Sequence, residues 1–181
     1  MSAHHPKRTS PPPSLPPPGA PSPASAAVSG ASTPGELSLS IWHAGDFPLD
    51  GVQSLSPGTL VEALGIEFTE AGPDWVKGRM PVDERTRQYA GVLHGGASVA
   101  FAETLASAAG YYTLDPERFA CVGMEINANH VRPVTSGKWV YGEARPDNLG
   151  RTTQIWSIRL TDEAGKLVCV SRCTLAVIAR P

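Results

Sequence analysis

The sequence predicts an α+β domain in which a curved antiparallel sheet wraps around one long central helix. A run of small and apolar residues at 95–114 has helical length, and strand-like segments flank it, two before and four after. The helix is apolar on nearly all sides, so most of its surface must be buried. A sheet wrapped around it achieves that burial, and the sheet edge that remains exposed favours an oligomer.

The two strands before the helix are predicted at 65–70 and 75–82. The Ala-Gly-Pro-Asp sequence between them, at 71–74, is a strong turn signal. Residues 51–63 indicate short helical pieces around a Ser-Pro-Gly turn. The chain therefore enters the domain through short helices and two connected strands.

The first strand after the helix shows a period of two. Its apolar side chains alternate with glycine and polar residues, a pattern that places them on one face. They are Val122, Met124, Ile126 and Ala128. Further strands are predicted at 139–145, 153–161 and 167–178. Turn sequences separate the four strands, which predicts an antiparallel meander.

Residues 1–45 are predicted to form a disordered arm rich in proline, serine and alanine, ahead of a domain at 46–181. The first 34 residues hold ten of the 18 prolines and almost no large apolar side chain. Such a segment cannot offset the entropy lost on ordering. It also lacks the apolar stretch of a secretion signal.

The composition argues against several classes of protein. Fifteen basic against seventeen acidic residues leave a net charge of −2, which is untypical of a nucleic-acid-binding protein. No stretch approaches the roughly 20 apolar residues that a membrane helix needs. Three cysteines cannot form a disulfide framework. We therefore expect a reduced, cytoplasmic protein without a nucleic-acid or membrane partner.

Glu103 is the residue that points most directly to chemistry. It is the only fully charged residue between Arg87 and Asp115, and it lies among alanines and valines of the predicted helix. No lysine or arginine on the helix is placed to pair with it, and an unpaired buried carboxylate is costly. We expect a buried functional carboxylate. The alternatives are a position at the solvent-exposed rim and an ion pair with another strand.

The start of the same helix is the second candidate feature. His94, Gly95 and Gly96 stand directly before the apolar run, and the unpaired amides of a helix start favour anions and can form an oxyanion hole. Gly95 precedes Glu103 by eight residues, or about 12 Å of helix rise. One helix therefore cannot bring both to one atom. A dimer, in which Glu103 of one copy meets the helix start of the other, would do so.

Other chemistries fit the sequence less well. Residues 96–100 nearly match the Gly-x-Ser-x-Gly sequence of serine hydrolases, but the second glycine and a preceding strand are missing. No HxxxH or CxxC motif accompanies His94 and His130, and no phosphate-binding glycine motif is present. We therefore expect neither a bound metal nor a cofactor.

The segment from Gln88 to Ser107, with Gly-Val-Leu-His-Gly-Gly-Ala-Ser at 91–98 and then Glu103, resembles the signature of hotdog-fold acyl-CoA thioesterases of the PaaI-like group. The resemblance extends over nearly all of 64–178. It is closest to the 1,4-dihydroxy-2-naphthoyl-CoA thioesterases of menaquinone biosynthesis and their aryl-CoA relatives. It implies a hotdog fold, hydrolysis of an aromatic acyl-CoA, and a homotetramer built as a dimer of dimers.

The resemblance also implies catalytic roles for five residues. Glu103 would be the catalytic carboxylate, acting as general base on water or as nucleophile, and the Gly95 N–H would be the oxyanion donor. Gln88 would orient the thioester or the attacking water. His94 would support the carbonyl and the leaving sulfur, and Ser107 would help to position water.

Coenzyme A would be part of the substrate and not a cofactor. Guanidinium groups suit its phosphates, and the residues expected to contact it are His130, Arg132, Arg151, Thr152 and Arg172. An apolar pocket is expected for the acyl group. Its candidate lining residues are Val92, Leu93 and Phe101.

Two rival functions remain open at this point. One is a hotdog hydratase that acts on acyl-CoA or acyl carrier protein, although such enzymes place a histidine and an acid in a different motif. The other is a non-catalytic acyl-CoA-binding sensor or scaffold, which has no need of Glu103. The combination of Gln88, His94 and Glu103 favours hydrolysis.

Overall fold

The strand-like segments of the sequence form one sheet of six antiparallel strands that curves around the long helix. The computed structural model describes residues 40–180. Its elements in chain order are α1 (Leu49–Ser54), α2 (Leu60–Leu64), β1 (Glu67–Ala71), β2 (Val76–Pro81), α3 (Gly95–Tyr112), β3 (Phe119–His130), β4 (Trp139–Leu149), β5 (Thr153–Thr161) and β6 (Leu167–Ala179). The predicted α+β class and the hotdog arrangement of a curved sheet around one helix are confirmed.

The packed region begins before residue 46, where the sequence places the domain boundary. Trp42 is 4% exposed, and its indole N–H donates a hydrogen bond to the carbonyl oxygen of Gly72 at 2.7 Å. Phe47 packs edge-on against both Trp42 and Tyr112, with ring centroids 5.1 Å apart in each pair. Trp42 and Phe47, which follow the proline-rich segment, therefore belong to the domain. The predicted arm lies, up to residue 39, outside the described residues.

Helix α3 begins where the His-Gly-Gly sequence predicts. His94 is the N-cap, and its Nδ1 atom accepts a hydrogen bond from the N–H of Gly96 at 2.9 Å. One face of α3 is buried against the sheet, while the opposite face, which carries Glu103 and Ser107, is half-exposed. The expectation of burial on most sides is therefore met on only one face within a single chain, because the sheet covers only that face.

A pair of glycines lets α3 lie close to the sheet. Gly78 of β2 and Gly142 of β4 are partners in the strand register. A Cβ atom added at Gly142 would lie 2.6 Å from Cδ1 of Leu105, and one added at Gly78 would lie 2.9 Å from Cδ2 of the same leucine. We call the space left by Gly78 and Gly142 the glycine notch. Phe101 also packs into it and is fully buried. Its predicted place in an acyl pocket is therefore wrong, since it belongs to the core.

The strand order is β1-β2-β4-β5-β6-β3, which corrects the predicted meander of four strands. Of the four strands after α3, only β4, β5 and β6 lie side by side in chain order, while β3 lies at the sheet edge beside β6. The connection at 131–138 explains this, because it pairs with the loop before α3 and does not close a hairpin. Thr135 forms a bridge with Val92, and the N–H of Gly137 donates to the carbonyl oxygen of Val82 at 2.8 Å.

Strand β3 contains a bulge, so the prediction that its four apolar side chains share one face of the sheet is wrong. Its register with β6 shifts just after Gly123, and the extra residue of a bulge interrupts the alternation of side chains between the two faces. Val122 and Met124 are 49% and 64% exposed, whereas Ile126 and Ala128 pack against the core. The four apolar side chains therefore do not share one face.

Candidate active site

Glu103 lies on the half-exposed face of α3 and lines an apolar cavity of about 490 Å³. We call this cavity the acid pocket. Its remaining wall comes from α3, from the first two helices and the loop between them, and from β1: Val52, Leu55, Ser56, Thr59, Leu60, Val61, Phe68, Ala100, Thr104, Ser107 and Ala108. The carboxylate of Glu103 makes no ion pair or hydrogen bond with any residue in the described range, 40–180. The alternative of an ion pair between Glu103 and a basic residue of a strand is therefore not realised within these residues.

The two threonine hydroxyl groups that line the acid pocket are engaged in local hydrogen bonds. Thr104 Oγ1 donates to the carbonyl oxygen of Ala100 at 2.7 Å, and Thr59 Oγ1 donates to that of Ser56 at 2.6 Å. Ser107 lies one helical turn after Glu103 and lines the same pocket. The carboxylate of Glu103 is therefore the one charged group that faces this apolar space among the residues that line it.

The start of α3 faces a second cavity of about 350 Å³, which we call the helix-start pocket. It is lined by Val92, Leu93, Gly95, Ser98, His130, Val131, Arg132, Pro133 and Val168. Three predicted site residues, Gly95, His130 and Arg132, thus come together here. A Cβ atom added at Gly95 would lie 3.3 Å from Cε1 of His130, so glycine allows the imidazole to approach the backbone closely.

The polar groups at the helix start have defined roles as donors and acceptors. His94 Nδ1 accepts from Gly96, so a neutral His94 carries its proton on Nε2 and can donate it outward. The side chain of His94 is exposed. The N–H of Gly95 has no acceptor among residues 40–180, which leaves it free for an oxyanion.

Gln88 is held by the loop that precedes α3. Its backbone N–H donates to the carbonyl oxygen of Val92 at 2.8 Å, and its side-chain oxygen accepts from the N–H of Ala90 at 2.9 Å. The side-chain oxygen is therefore used to shape the loop, and the amide NH₂ group is the part of Gln88 that can donate to another molecule.

The two pockets have no lining residue in common. Glu103 and Ser107 line the acid pocket, whereas Gly95 lines the helix-start pocket, so one chain does not bring the acid and the oxyanion donor together. This separation follows from the eight-residue spacing along a straight helix. A single chain therefore carries two half-sites.

The five residues expected to contact coenzyme A do not form one group within the chain. Arg132 lines the helix-start pocket and its guanidinium donates to the carbonyl oxygen of Leu167. Arg151 and Thr152 lie in the turn between β4 and β5, beside the end of β6, and Arg172 is exposed in the middle of β6. His130 pairs with the start of β6, about 25 Å from that turn at roughly 3.3 Å per residue.

The wall of the acid pocket is the part of the site that the sequence did not reveal. Val92 and Leu93 line the helix-start pocket, but no prediction named the apolar side chains that α1, α2 and β1 contribute. A signal was present, because Val52 and Leu55 are three residues apart, a spacing that places two apolar side chains on one side of a short helix.

The three cysteines are unsuited to nucleophilic chemistry. Burial raises the pKa of Cys121 to about 11 and that of Cys173 to about 12, where the nearby Glu103 carboxylate adds to the effect of burial. Burial also raises the pKa of Cys169. All three therefore remain protonated thiols near neutral pH.

Metal-binding clusters and membrane-spanning helices are two other features that would bear on function within residues 40–180. No cluster of three or more histidine, cysteine or acidic side chains is arranged to bind a metal ion within this range. None of the helices found there is long and apolar enough to span a membrane.

Comparison with known proteins finds thioesterases. The family model described as the thioesterase superfamily matches residues 90–169. A putative esterase of Haemophilus influenzae is 52% identical, over 73% of this chain and 94% of that protein. The 1,4-dihydroxy-2-naphthoyl-CoA hydrolase of Escherichia coli is 45% identical, over 72% of this chain and 94% of that protein. The crystal structure of a mutant thioesterase from Pseudomonas aeruginosa superposes with a TM-score of 0.75 at 42% identity, over 78% of this chain and 100% of that one.

Proposed function

The chain belongs to the thioesterase superfamily, and we propose that it hydrolyses an acyl-CoA thioester whose acyl group is aromatic. The observation that carries the proposal is the unpaired carboxylate of Glu103 in an apolar pocket. A carboxylate in such a place can take a proton from water or attack a carbonyl carbon itself. A thioester needs little further activation, since a thiolate is a good leaving group.

The hydrolysis uses the two half-sites together. In one route, Glu103 takes a proton from water, and the hydroxide forms a bond to the thioester carbonyl carbon. In the other, the Glu103 carboxylate attacks that carbon, and water later cleaves the anhydride. In both, the negative oxygen is stabilised by the N–H of Gly95, the C–S bond breaks, and the CoA thiolate takes up a proton. Gln88 donates its amide hydrogen to the carbonyl or to the water.

A second copy of the chain completes the site. Strand β3 has twelve residues and lies at an open edge of the sheet, where Val122 and Met124 are exposed. Unpaired edges of this length favour pairing with another chain. Antiparallel pairing of two β3 strands would set the two α3 helices side by side in opposite directions, which brings Gly95 of one copy towards Glu103 of the other. We further propose that two such dimers form a tetramer.

The acid pocket supports an uncharged and bulky acyl group. Its wall is apolar apart from Glu103 and hydroxyl groups, and its volume of about 490 Å³ exceeds that of a short aliphatic chain. The E. coli relative is named for a bicyclic aromatic substrate, 1,4-dihydroxy-2-naphthoyl-CoA. We propose this compound or a hydroxybenzoyl-CoA as the substrate, and the first of them would place the enzyme in menaquinone biosynthesis.

The test is CoA release from a panel of thioesters, measured with a thiol reagent. The panel contains the two aromatic thioesters, phenylacetyl-CoA and straight-chain acyl-CoAs. We expect an aromatic thioester to be cleaved fastest, and we expect Glu103→Ala and Glu103→Gln to lose about 10²-fold to 10⁴-fold in kcat. Gln88→Ala should also be slow.

Glu117→Gln is the matched control, because it makes the same chemical change at an exposed glutamate that lines neither pocket. Full turnover by both Glu103 variants, with wild-type folding, would refute the hydrolytic role of Glu103. Binding of acyl-CoA without any turnover by the wild type would favour a sensor, and addition of water to an enoyl-CoA would favour a hydratase.

A further inference from the structure

Gly123 stands directly against the carboxylate of Glu103. A Cβ atom added at this glycine would lie 2.6 Å from Oε1 and 3.7 Å from Cδ of Glu103, and it would meet no other atom within 4 Å apart from those of its chain neighbours. The carboxylate therefore lies over bare backbone of β3, at the position where the strand register shifts. From this contact we infer that Gly123 is a positioning residue for the catalytic carboxylate of Glu103. The inference rests on the proposed function of Glu103.

The backbone itself does not require glycine at this position. Gly123 is not among the glycines with a positive φ angle, so an L-residue can adopt its conformation. Glycine in a strand also costs stability, because its backbone loses more conformational freedom on folding than that of other residues. What glycine provides here is space for the end of the Glu103 side chain.

The contact matters because little else fixes the carboxylate within the chain. The carboxylate of Glu103 has no hydrogen bond or ion pair with any residue from 40 to 180, so packing against α3 and β3 sets the depth at which its oxygens lie. The bulge after Gly123 re-aims the strand at this place. The bulge and the missing side chain together leave the carboxylate close to the sheet.

Gly123 differs from the glycines that the fold needs. A Cβ atom at Gly142 or Gly110 would meet buried apolar side chains, Leu105 and Leu175 respectively, which cannot move without repacking the core. At Gly123 the added atom meets only the charged end of a flexible side chain. A methyl group there should therefore displace the carboxylate while the fold remains intact.

The test is Gly123→Ala in the full-length chain. An ordinary contact begins at about 3.4 Å, so Oε1 must retreat by about 0.8 Å, and a 1 Å misplacement can cost about 100-fold in rate. We expect kcat to fall about 10-fold to 100-fold, with KM changed less than about 3-fold. The melting temperature should not fall, and the oligomeric state should remain that of the wild type.

Gly51→Ala is the matched control, because it adds the same methyl group at an exposed helical glycine that lines neither pocket. It should leave kcat unchanged. A second variant, Glu103→Asp, draws the carboxylate back by one methylene. If Gly123 acts through space, Glu103→Asp should cost less in the Gly123→Ala background than in the wild type, so that the two effects are not multiplicative.

The outcomes separate this inference from the proposed function. Wild-type turnover by Glu103→Ala would overturn both. Loss of turnover in Glu103→Ala together with wild-type kcat in Gly123→Ala would overturn only the role of Gly123. Loss of folding or of assembly in Gly123→Ala would also overturn it, because Gly123 would then be a structural residue. Multiplicative effects of Gly123→Ala and Glu103→Asp would show that the two positions act independently, against the inference.

Discussion

The close packing of α3 against the sheet depends on the glycine notch formed by Gly78 and Gly142, and Gly142→Ala tests this dependence. The added Cβ atom would lie 2.6 Å from Cδ1 of Leu105, 3.0 Å from Cδ2 of Leu160 and 3.0 Å from Cε1 of Phe101. All three side chains are fully buried, so none can move into solvent. The helix must then rise from the sheet or the side chains must leave their preferred rotamers.

Overpacking of a well-packed core costs about 1–3 kcal/mol. Three simultaneous short contacts place Gly142→Ala near the upper end, at about 3 kcal/mol. For a domain of this size the melting temperature should fall by about 10 °C. Because α3 carries Glu103, a raised helix should also lower kcat.

Thermal and urea unfolding followed by circular dichroism measure the effect, and Gly51→Ala serves as the control. Combining Gly142→Ala with Leu105→Ala should be less destabilising than the two separate changes added together, since the smaller side chain removes the shortest contact. An unchanged melting temperature in Gly142→Ala would refute the proposed seating of α3. Additive destabilisation in the double variant would refute the role of Leu105.

The remaining predictions concern the ends of the domain and its thiols. Trp42→Ala should cost about 3–5 kcal/mol of unfolding free energy, because Trp42 is buried and hydrogen-bonded, whereas deletion of residues 1–35 should leave both melting temperature and turnover unchanged. A stable Trp42→Ala variant together with loss of folding or turnover on deletion of residues 1–35 would contradict a domain that begins near residue 40. Because burial raises the pKa of Cys121 and Cys173 to about 11 and about 12, the folded state retains protons that the unfolded chain loses above about pH 9. The free energy of unfolding should therefore fall between about pH 9 and pH 12, and the thiols should react slowly with a thiol reagent at pH 8 until the protein unfolds; fast reaction in the folded state would contradict this.

Local sequence signals predicted the helix start and most strand positions. Helix α3 starts at Gly95 because His94 supplies a cap, and β5 spans Thr153–Thr161 as its pattern indicates. These features depend on neighbours within a few residues, which the sequence displays directly. The absence of a basic partner for Glu103 on its own helix was also predictable, whereas the absence of a partner from another strand was not.

Features set by distant contacts were not predictable in this way. The edge position of β3 depends on contacts that residues 131–138 make with the loop before α3, including the Thr135–Val92 bridge. The bulge after Gly123 changes the phase of side chains without any change in composition. Phe101 was misplaced because its burial depends on the absence of side chains at Gly78 and Gly142, far away in sequence.

Complementation between two inactive variants is the most direct test of a site shared by two copies. Glu103→Ala lacks the carboxylate, and Gln88→Ala lacks the side-chain amide of the loop that precedes α3. The two chains would be co-expressed and purified as a mixed assembly. If Glu103 of one chain acts with the helix-start region of its partner, each mixed dimer regains one intact site of two, and random pairing restores about one quarter of the wild-type rate. A mixed assembly no more active than the average of the two separate variants would contradict the shared site.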